Sequence, residues 1–346
     1  MYHDIIRKTT GALLKISFSG LAMRHMDLSV GYGQAAYNIF NSFKKLGIDC
    51  SIDSLDCDIE ICFTDPRNVE FLTKDSYKIA YIAWESTDMT SEMKKKISPA
   101  DELWATSPWT ANVFKNLFPD KPVFVYKHGI NKMWKPKLRK KAHEPFTFFH
   151  IGEPFSRKEG QMVTECFVEL FGQDTDYRLV LKSNGMNTIK IKHPDYGFLT
   201  SPAAGYANIV SIDAVLTDEQ MVGLYGLCDI FIYPSWGEGW GLQPMQALAL
   251  GMPVISTAEW ADYKKYITFP VESSYRQSPW QQTHPGMMTK PDIDSLKKQM
   301  LNAVANYQKV LPQTFKNAFE IHEEYDWLEV TKPVVARLQK IYNSLS

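Results

Sequence analysis

The densest set of chemically useful residues in this 346-residue chain runs from Tyr233 to Val254. An apolar stretch, Ile230 to Tyr233, leads into a loop that sets Gly237, Gly239 and Gly241 around Glu238, and a helix-like segment opens at Leu242. Glycines let a backbone approach a ligand closely. The unsatisfied N–H groups of a helix start can hold a phosphate. Pro244 suits a first turn, where its missing N–H costs little. Glu238, next to Trp236 and Trp240, is suited to hold sugar hydroxyls. A water-facing acidic turn would have the same local sequence.

Other motifs exclude themselves by their surroundings. Gly31-Tyr-Gly-Gln-Ala-Ala36 matches a dinucleotide fingerprint, with Asp53 and Asp56 about 20 residues on. Ser19 to Val30 separates it from the preceding strand, too far for the tight turn a pyrophosphate needs. Gly31 and Gly33 read as a glycine-rich loop between the first strand and the first helix. The eight histidines form no H-x-x-x-H or H-E-x-x-H pair. Asp56-Cys57-Asp58 precedes a strand, and Asp292 and Asp294 open a helix, where the dipole alone favours acids. No metal site is expected, and neither a Walker loop nor a G-x-S-x-G elbow occurs.

These residues need elements to place them. Ala12–Phe18 reads as a strand and Gln34–Leu46 as a helix ended by Gly47. Ile48–Ile52, Ile59–Phe63, Lys78–Ala83, Leu103–Thr106 and Val123–Tyr126 read as strands, with helices over Met89–Ile97 and Pro108–Leu117. From Lys127 to Pro145 the pattern lapses into a basic stretch with Lys132, Lys135, Lys137, Arg139, Lys140 and Lys141, which suits a solvated linker. A second series follows. Its strands are Phe146–Ile151, Arg178–Lys182, Asn208–Ile212, Ile230–Tyr233 and Pro253–Ser256. Its helices are Lys158–Phe171, Thr217–Leu227 (opened by a Thr217/Gln220 capping box) and Leu242–Leu250. Three further helical stretches are predicted at about 292–308, 312–324 and 327–344. Alternating strands and helices predict mostly parallel sheets covered on both faces, with ligands at the carboxyl ends of the strands.

Composition narrows the class. With 38 Lys and Arg against 39 Asp and Glu, the net charge of −1 provides no global basic field for nucleic acid. Residues 1–145 hold 21 basic against 17 acidic side chains, and residues 146–346 hold 17 against 22. The basic excess is compatible with an anionic acceptor or a lipid surface at the N-terminal half. Five cysteines without C-x-x-C spacing read as reduced thiols of a cytoplasmic protein. No signal peptide and no membrane span are read, so any membrane contact would be peripheral.

The segment containing Pro234, Ser235, Glu238, Gly239, Trp240, Gly241, Ala247, Gly251, Pro253 and Val254 resembles the donor-binding signature of GT-B fold retaining glycosyltransferases, family 4 (glycosyl transferases group 1). Gln246 stands where that signature has a second Glu, which in the family accepts hydrogen bonds from the ribose. His150–Gly160 resembles the family's strand-glycine-basic loop, with Glu153 in place of the usual Arg. The resemblance assigns the diphosphate clamp to Arg157 and Lys158, with Lys182 as a third cation. Lys127-His128-Gly-Ile-Asn131 resembles the family's segment at the crevice wall. Tyr81–Ser86 matches a loop facing the reacting sugar, making Glu85 the candidate that orients the acceptor hydroxyl. Glu324–Trp327 resembles the segment before a terminal helix that crosses back.

The resemblance implies an α/β GT-B fold with two Rossmann-like domains facing a crevice. Residues 1–140 would bind acceptor, 141–325 a nucleotide-sugar, and 326–346 would form the crossover helix. The implied activity is metal-independent, retaining transfer of a hexose from a nucleotide diphosphate sugar to an acceptor hydroxyl, with no cofactor. The reacting centre is assigned to Glu238, Arg157, Lys158 and Glu85. Donor binding is assigned to Gly237, Gly239, Trp240, Gly241, Leu242, Gln246, Lys182, Gly33 and His128. The acceptor is a carbohydrate, lipid or protein, and nucleic acid is not expected as a partner. Placement is read as cytoplasmic, with peripheral contact at the inner membrane face as the variant. Two alternatives stay open: a sugar-binding module that has lost activity, favoured by Gln246 and Glu153, and a GT-B epimerase or phosphorylase.

Overall fold

A computed structural model describes residues 14–153, 156–183, 190–193, 197–200 and 205–345. Residues 12 and 13 of the first predicted strand, Pro154 and Phe155 of the glycine-basic loop, and Ser346 lie outside them.

The first half contains β1 (Ile16–Ser19), α1 (Leu21–His25), α2 (Gly31–Lys45), β2 (Cys50–Ile52), β3 (Ile59–Phe63), β4 (Tyr77–Ile82), α3 (Ser91–Ile97), β5 (Glu102–Ala105), α4 (Pro108–Leu117) and β6 (Val123–Val125). Its strands form a parallel sheet in the order β2-β1-β3-β4-β5-β6. All five residues of β3 are buried, as a sheet covered on both faces requires. One of them is Glu60. Its carboxylate accepts hydrogen bonds from the Ser19 hydroxyl (2.7 Å), the Leu72 and Thr73 amides (both 2.9 Å) and the Thr73 hydroxyl (2.6 Å), so its burial is compensated.

The second half contains β7 (Phe146–Ile151), α5 (Gly160–Phe171), β8 (Tyr177–Ser183), β9 (Lys190–His193), β10 (Gly197–Thr200), β11 (Ile209–Asp213), α6 (Asp218–Gly226), β12 (Ile230–Tyr233), α7 (Leu242–Ala249), β13 (Val254–Ser256), β14 (Phe269–Pro270), β15 (Ser273–Gln277), β16 (Met287–Pro291), α8 (Ile293–Glu324) and α9 (Trp327–Ser344). Its main sheet is parallel, in the order β11-β8-β7-β12-β13-β14. The connections leave β7 and β12 in opposite directions along this sheet. The loops after these two strands therefore meet at a topological switch point, where open α/β sheets bind ligands.

Helix α9 closes the chain onto the first sheet. Arg337 forms an ion pair with the fully buried Glu102. Thr331 meets the Tyr126 hydroxyl at 2.8 Å, and the Ile130 amide donates to the Tyr325 carbonyl at 2.7 Å. Together the two facing parallel sheets and the returning helix form the GT-B architecture. The capping box at Thr217 is formed, with Gln220 Oε1 accepting from the Thr217 amide at 2.8 Å.

The structure corrects several expectations. The stretches predicted at 292–308 and 312–324 are one 32-residue helix, α8. Pro312 removes one backbone bond but does not end it, because Tyr307, Leu311 and Thr314 are buried on both sides of the proline. Helix α2 begins at Gly31, so Gly31 and Gly33 occupy its first turn rather than a loop. The linker is only partly solvated: His128, Ile130 and Trp134 are buried, and Lys127 pairs with Asp262 at 2.8 Å. Arg139 donates to the Tyr225 carbonyl at 2.7 Å and to that of Cys228, completing the end of α6. All five cysteines are free thiols. Among the described residues no helix is long and apolar enough to cross a membrane.

Candidate active site

The loop after β12 places Glu238 in the crevice. Its Oε1 accepts from the Tyr233 hydroxyl at 2.8 Å and lies 3.1 Å from the Ser235 hydroxyl. Its Oε2 accepts from Arg157 Nη2 at 2.9 Å. Arg157 sits in the loop after β7, held through its carbonyl by the Trp236 amide at 2.8 Å. Arg157 Nε donates to the Gly237 carbonyl, and Nη2 reaches Glu85 Oε1, each at 3.0 Å. Glu85 comes from the loop after β4 of the opposite sheet. Arg157 thus joins two carboxylates from two domains.

Burial opposes the charge of Glu238, but Arg157 and Lys158 outweigh it and hold the carboxyl below its ordinary range. Burial likewise opposes the charge of Arg157, and Glu238 and Glu85 outweigh it. Lys158 is different. No salt bridge to it is found among the described residues, and its ammonium lies 5.7 Å from the centre of the Tyr233 ring. Burial and the neighbouring Arg157 leave its pKa below the ordinary lysine value despite Glu238. The clamp assigned to Arg157 and Lys158 therefore divides: Arg157 is committed to carboxylates, and Lys158 holds the charge an incoming anion would meet.

Glycines set the backbone geometry of this loop. A Cβ on Gly239 would lie 2.5 Å from the Ala83 side chain and 2.7 Å from the Trp84 amide. The Gly239 carbonyl accepts from the Thr106 hydroxyl at 2.5 Å, so this glycine is a contact between the two sheets. Gly241, at φ 79°, opens α7, and no side chain caps that helix. Gly241 and the first-turn residues Leu242 and Gln243 line a cavity of about 240 Å³, which also touches Gly31, Tyr32, Glu85, His128, Arg157, Lys158, Glu238 and Trp240. This is an anion-receptive helix start beside a half-buried lysine.

The remaining assigned residues divide between places. Gln246 and Lys182 line a second cavity of about 80 Å³, which shares Gly31 and Gln243 with the first. Lys182 is buried, with its ammonium 2.6 Å from the Ser183 carbonyl, and burial lowers its pKa. Gln246 Nε2 lies 3.3 Å from Gln34 Oε1, across the crevice. Gly237 packs against the Glu85 carbonyl. Gly33 lines neither cavity: a Cβ there would sit 1.9 Å from the Asp27 carbonyl oxygen, so its glycine is required by packing of the α1–α2 connection. Trp240 turns its indole N–H to Met245 Sδ at 3.3 Å and packs edge-on or tilted against His128, Tyr263 and Tyr325, forming the crevice floor.

His128 lies in that floor, only 4% exposed, with neither ring nitrogen hydrogen-bonded among the described residues. Burial pushes its pKa down to about 3, and burial pushes that of His150 down to about 4. Above their unfolded value of 6.5, both are neutral in both states. As pH falls from 6.5 toward 4, the unfolded chain takes up protons that the folded chain refuses, so stability declines. The expected slope is about 1.4 kcal/mol per pH unit for each imidazole. His128→Phe should lose one imidazole's share of that slope between pH 6 and 4.5 in denaturant titrations. An unchanged slope would overturn this assignment.

Sequence reading missed Tyr233 and Gln34 as contact residues and His284 altogether. His284 lies between β15 and β16, where no element is predicted. The dipeptides Ser278-Pro279 and Pro285-Gly286 were the available turn signals.

Residues 145–268 match the family model described as glycosyl transferases group 1. A putative glycosyltransferase 45 of a Sulfolobus islandicus filamentous virus is 23% identical over 252 residues, 68% of this chain and 65% of that relative. The sucrose-phosphate synthase of Thermosynechococcus elongatus superposes with a TM-score of 0.63 at 14% identity, covering 96% of this chain and 99% of that one. The chain has the GT-B fold of this structure, and its residues 145–268 resemble glycosyl transferases group 1. A further structural relative is the pneumococcal O-GlcNAc transferase GtfA in complex with UDP and GlcNAc, with a TM-score of 0.55 at 12% identity over 90% of this chain and 61% of that one. The match to the family model contains both loops of the switch point, the one with Arg157 and Lys158 and the one with Glu238.

Proposed function

We propose that this glycosyltransferase moves a hexosyl group from a nucleotide diphosphate sugar to an acceptor hydroxyl with retention of anomeric configuration. The observation that carries the reading is Lys158 beside the uncapped start of α7, with Glu238 and Glu85 on the walls of the same cavity. The sugar and diphosphate occupy this cavity. The nucleoside extends into the adjoining one, where Gln246 offers a neutral amide to the ribose. Glu238 holds sugar hydroxyls, and Lys158 with the α7 amides takes the charge that builds on the leaving diphosphate. The acceptor hydroxyl, oriented by Glu85, attacks from the face the diphosphate leaves, and a diphosphate oxygen receives its proton. Charge stabilisation rests on side chains and backbone, without a metal. GtfA is solved with UDP and GlcNAc, which supports a nucleotide-sugar donor for this chain as well.

The test is a thermal-shift screen against UDP-, GDP-, ADP- and CMP-sugars, followed by NMR of the product anomer. A donor at 100 times its Kd should add about 2.7 kcal/mol of stability. An inverted product overturns retention. Binding of free sugars with no binding of any nucleotide sugar overturns the transferase reading in favour of a sugar-binding module.

A further inference from the structure

The hairpin β15–β16 belongs to the second half of the chain, but its tip reaches the first half. The Met287 amide donates to Thr87 Oγ1 at 2.8 Å, and the Met287 carbonyl accepts from the Thr87 amide at 3.0 Å. Gly286, at φ 84°, fits against Asp88 where a Cβ would lie 2.9 Å from the backbone amide. Farther along the hairpin, Trp109 Nε1 donates to the Tyr275 hydroxyl at 3.0 Å. The hairpin is thus fastened across the crevice at two points, Met287 and Tyr275.

This fastening sets His284 beside Glu85. The imidazole stacks on the buried Trp84 ring, with centroids 5.3 Å apart and planes at 21°. Trp84 is itself fixed by its indole N–H donating to the Asp88 carbonyl at 3.1 Å. Thr283 Oγ1 lies 3.2 Å from His284 Nδ1, and His284 Nε2 lies 3.4 Å from Glu85 Oε2. The other oxygen of Glu85 is held by Arg157 at 3.0 Å. The two oxygens of one carboxylate are thus approached from two separate elements, both belonging to the opposite domain.

We propose that His284 is a positioning residue for Glu85. With Arg157 on one oxygen and His284 beside the other, the plane of the carboxylate is set when the domains are closed. A carboxylate offers about four lone-pair sites, so acceptor capacity is left for a substrate hydroxyl. His284 does not line the cavity; it acts through Glu85. The inference rests on the reading of Glu85 as the group that orients the acceptor.

The test uses the full chain and the nucleotide sugar selected by thermal shift. Nucleotide release is measured with water alone as acceptor, and then with the n-octyl glycosides of glucose, galactose and mannose. His284→Ala should lower kcat about tenfold with donor KM and Tm unchanged. His284→Gln, whose amide nitrogen can reach the place of Nε2, should recover to within about twofold of the wild type. Glu85→Gln should lose more than His284→Ala, and the double variant should be no worse than Glu85→Gln. If Glu85→Gln is impaired while His284→Ala matches the wild type, or if the two losses multiply, the proposal for His284 is overturned. If Glu85→Gln itself matches the wild type, the reading of Glu85 fails instead.

Discussion

Glu238→Gln is expected to cut turnover at saturating donor by on the order of 10²–10³-fold, the range for removing one preorganised electrostatic partner from a closed site. Glutamine keeps the shape and a carbonyl acceptor for the Tyr233 and Ser235 hydroxyls, which now lie at 2.8 and 3.1 Å from Glu238 Oε1. It removes the charge paired with Arg157, but Glu85 still pairs with that guanidinium. The fold should therefore survive. Alanine is the poorer test. Glu238 is buried in a bonded cluster, and deleting one partner of a buried pair typically costs about 3–5 kcal/mol. Near-normal turnover of Glu238→Gln, with unchanged donor KM, would remove Glu238 from the reacting centre.

Arg157→Met is expected to destabilise the protein by about 3–5 kcal/mol at pH 7, because it strands two carboxylates beside each other in a largely buried place. The pH dependence has a definite sign. In the wild type the Glu238 carboxyl is held below its ordinary value. Its contribution to stability is present above the unfolded pKa of about 4.3 and is lost as pH falls through the folded one. Without Arg157, desolvation pushes the Glu238 carboxyl the other way, so the variant suffers while that group is ionised and is relieved as it protonates. The stability gap between wild type and Arg157→Met should narrow as pH falls from 7 toward 5. Urea titrations at pH 7, 6 and 5 measure it, and a gap that stays constant would show that Arg157 does not hold the pair. Arg157→Lys should keep part of the stability, since a point charge can face one carboxylate but lacks the fork that reaches both and the Gly237 carbonyl.

Much of this arrangement could be read from local pattern. The strands Ile59–Phe63, Phe146–Ile151 and Ile230–Tyr233 and the helix Pro108–Leu117 lie where their apolar runs and caps place them. Each is short, strongly apolar or capped, and bounded by turn residues, so local preference and burial agree. Where they disagree, packing prevailed. Pro312 reads as a helix boundary, but α8 continues because the residues around it are buried. Gly33 reads as a ligand glycine but is a steric requirement of the Asp27 contact. The basic run at 132–141 reads as solvated, but Arg139 is committed to the carbonyls at the end of α6.

The sequence by itself determined the alternation of strands and helices, the split into two series and the glycine-flanked Glu238 loop, because these depend on periodicity and turn chemistry over a few neighbouring residues. Tertiary structure alone decided which charges are spent. Arg157 and Lys158 are adjacent in sequence and equal in formal charge. Both line the cavity, but one is paired with Glu85 and Glu238, 72 and 81 positions away, and the other has no salt bridge among the described residues. Only the fold could bring His284 onto Trp84 and beside Glu85, because that contact depends on a hairpin of one domain closing over the strand ends of the other. Electrostatic pairing is set by distance in space, which no local spacing encodes.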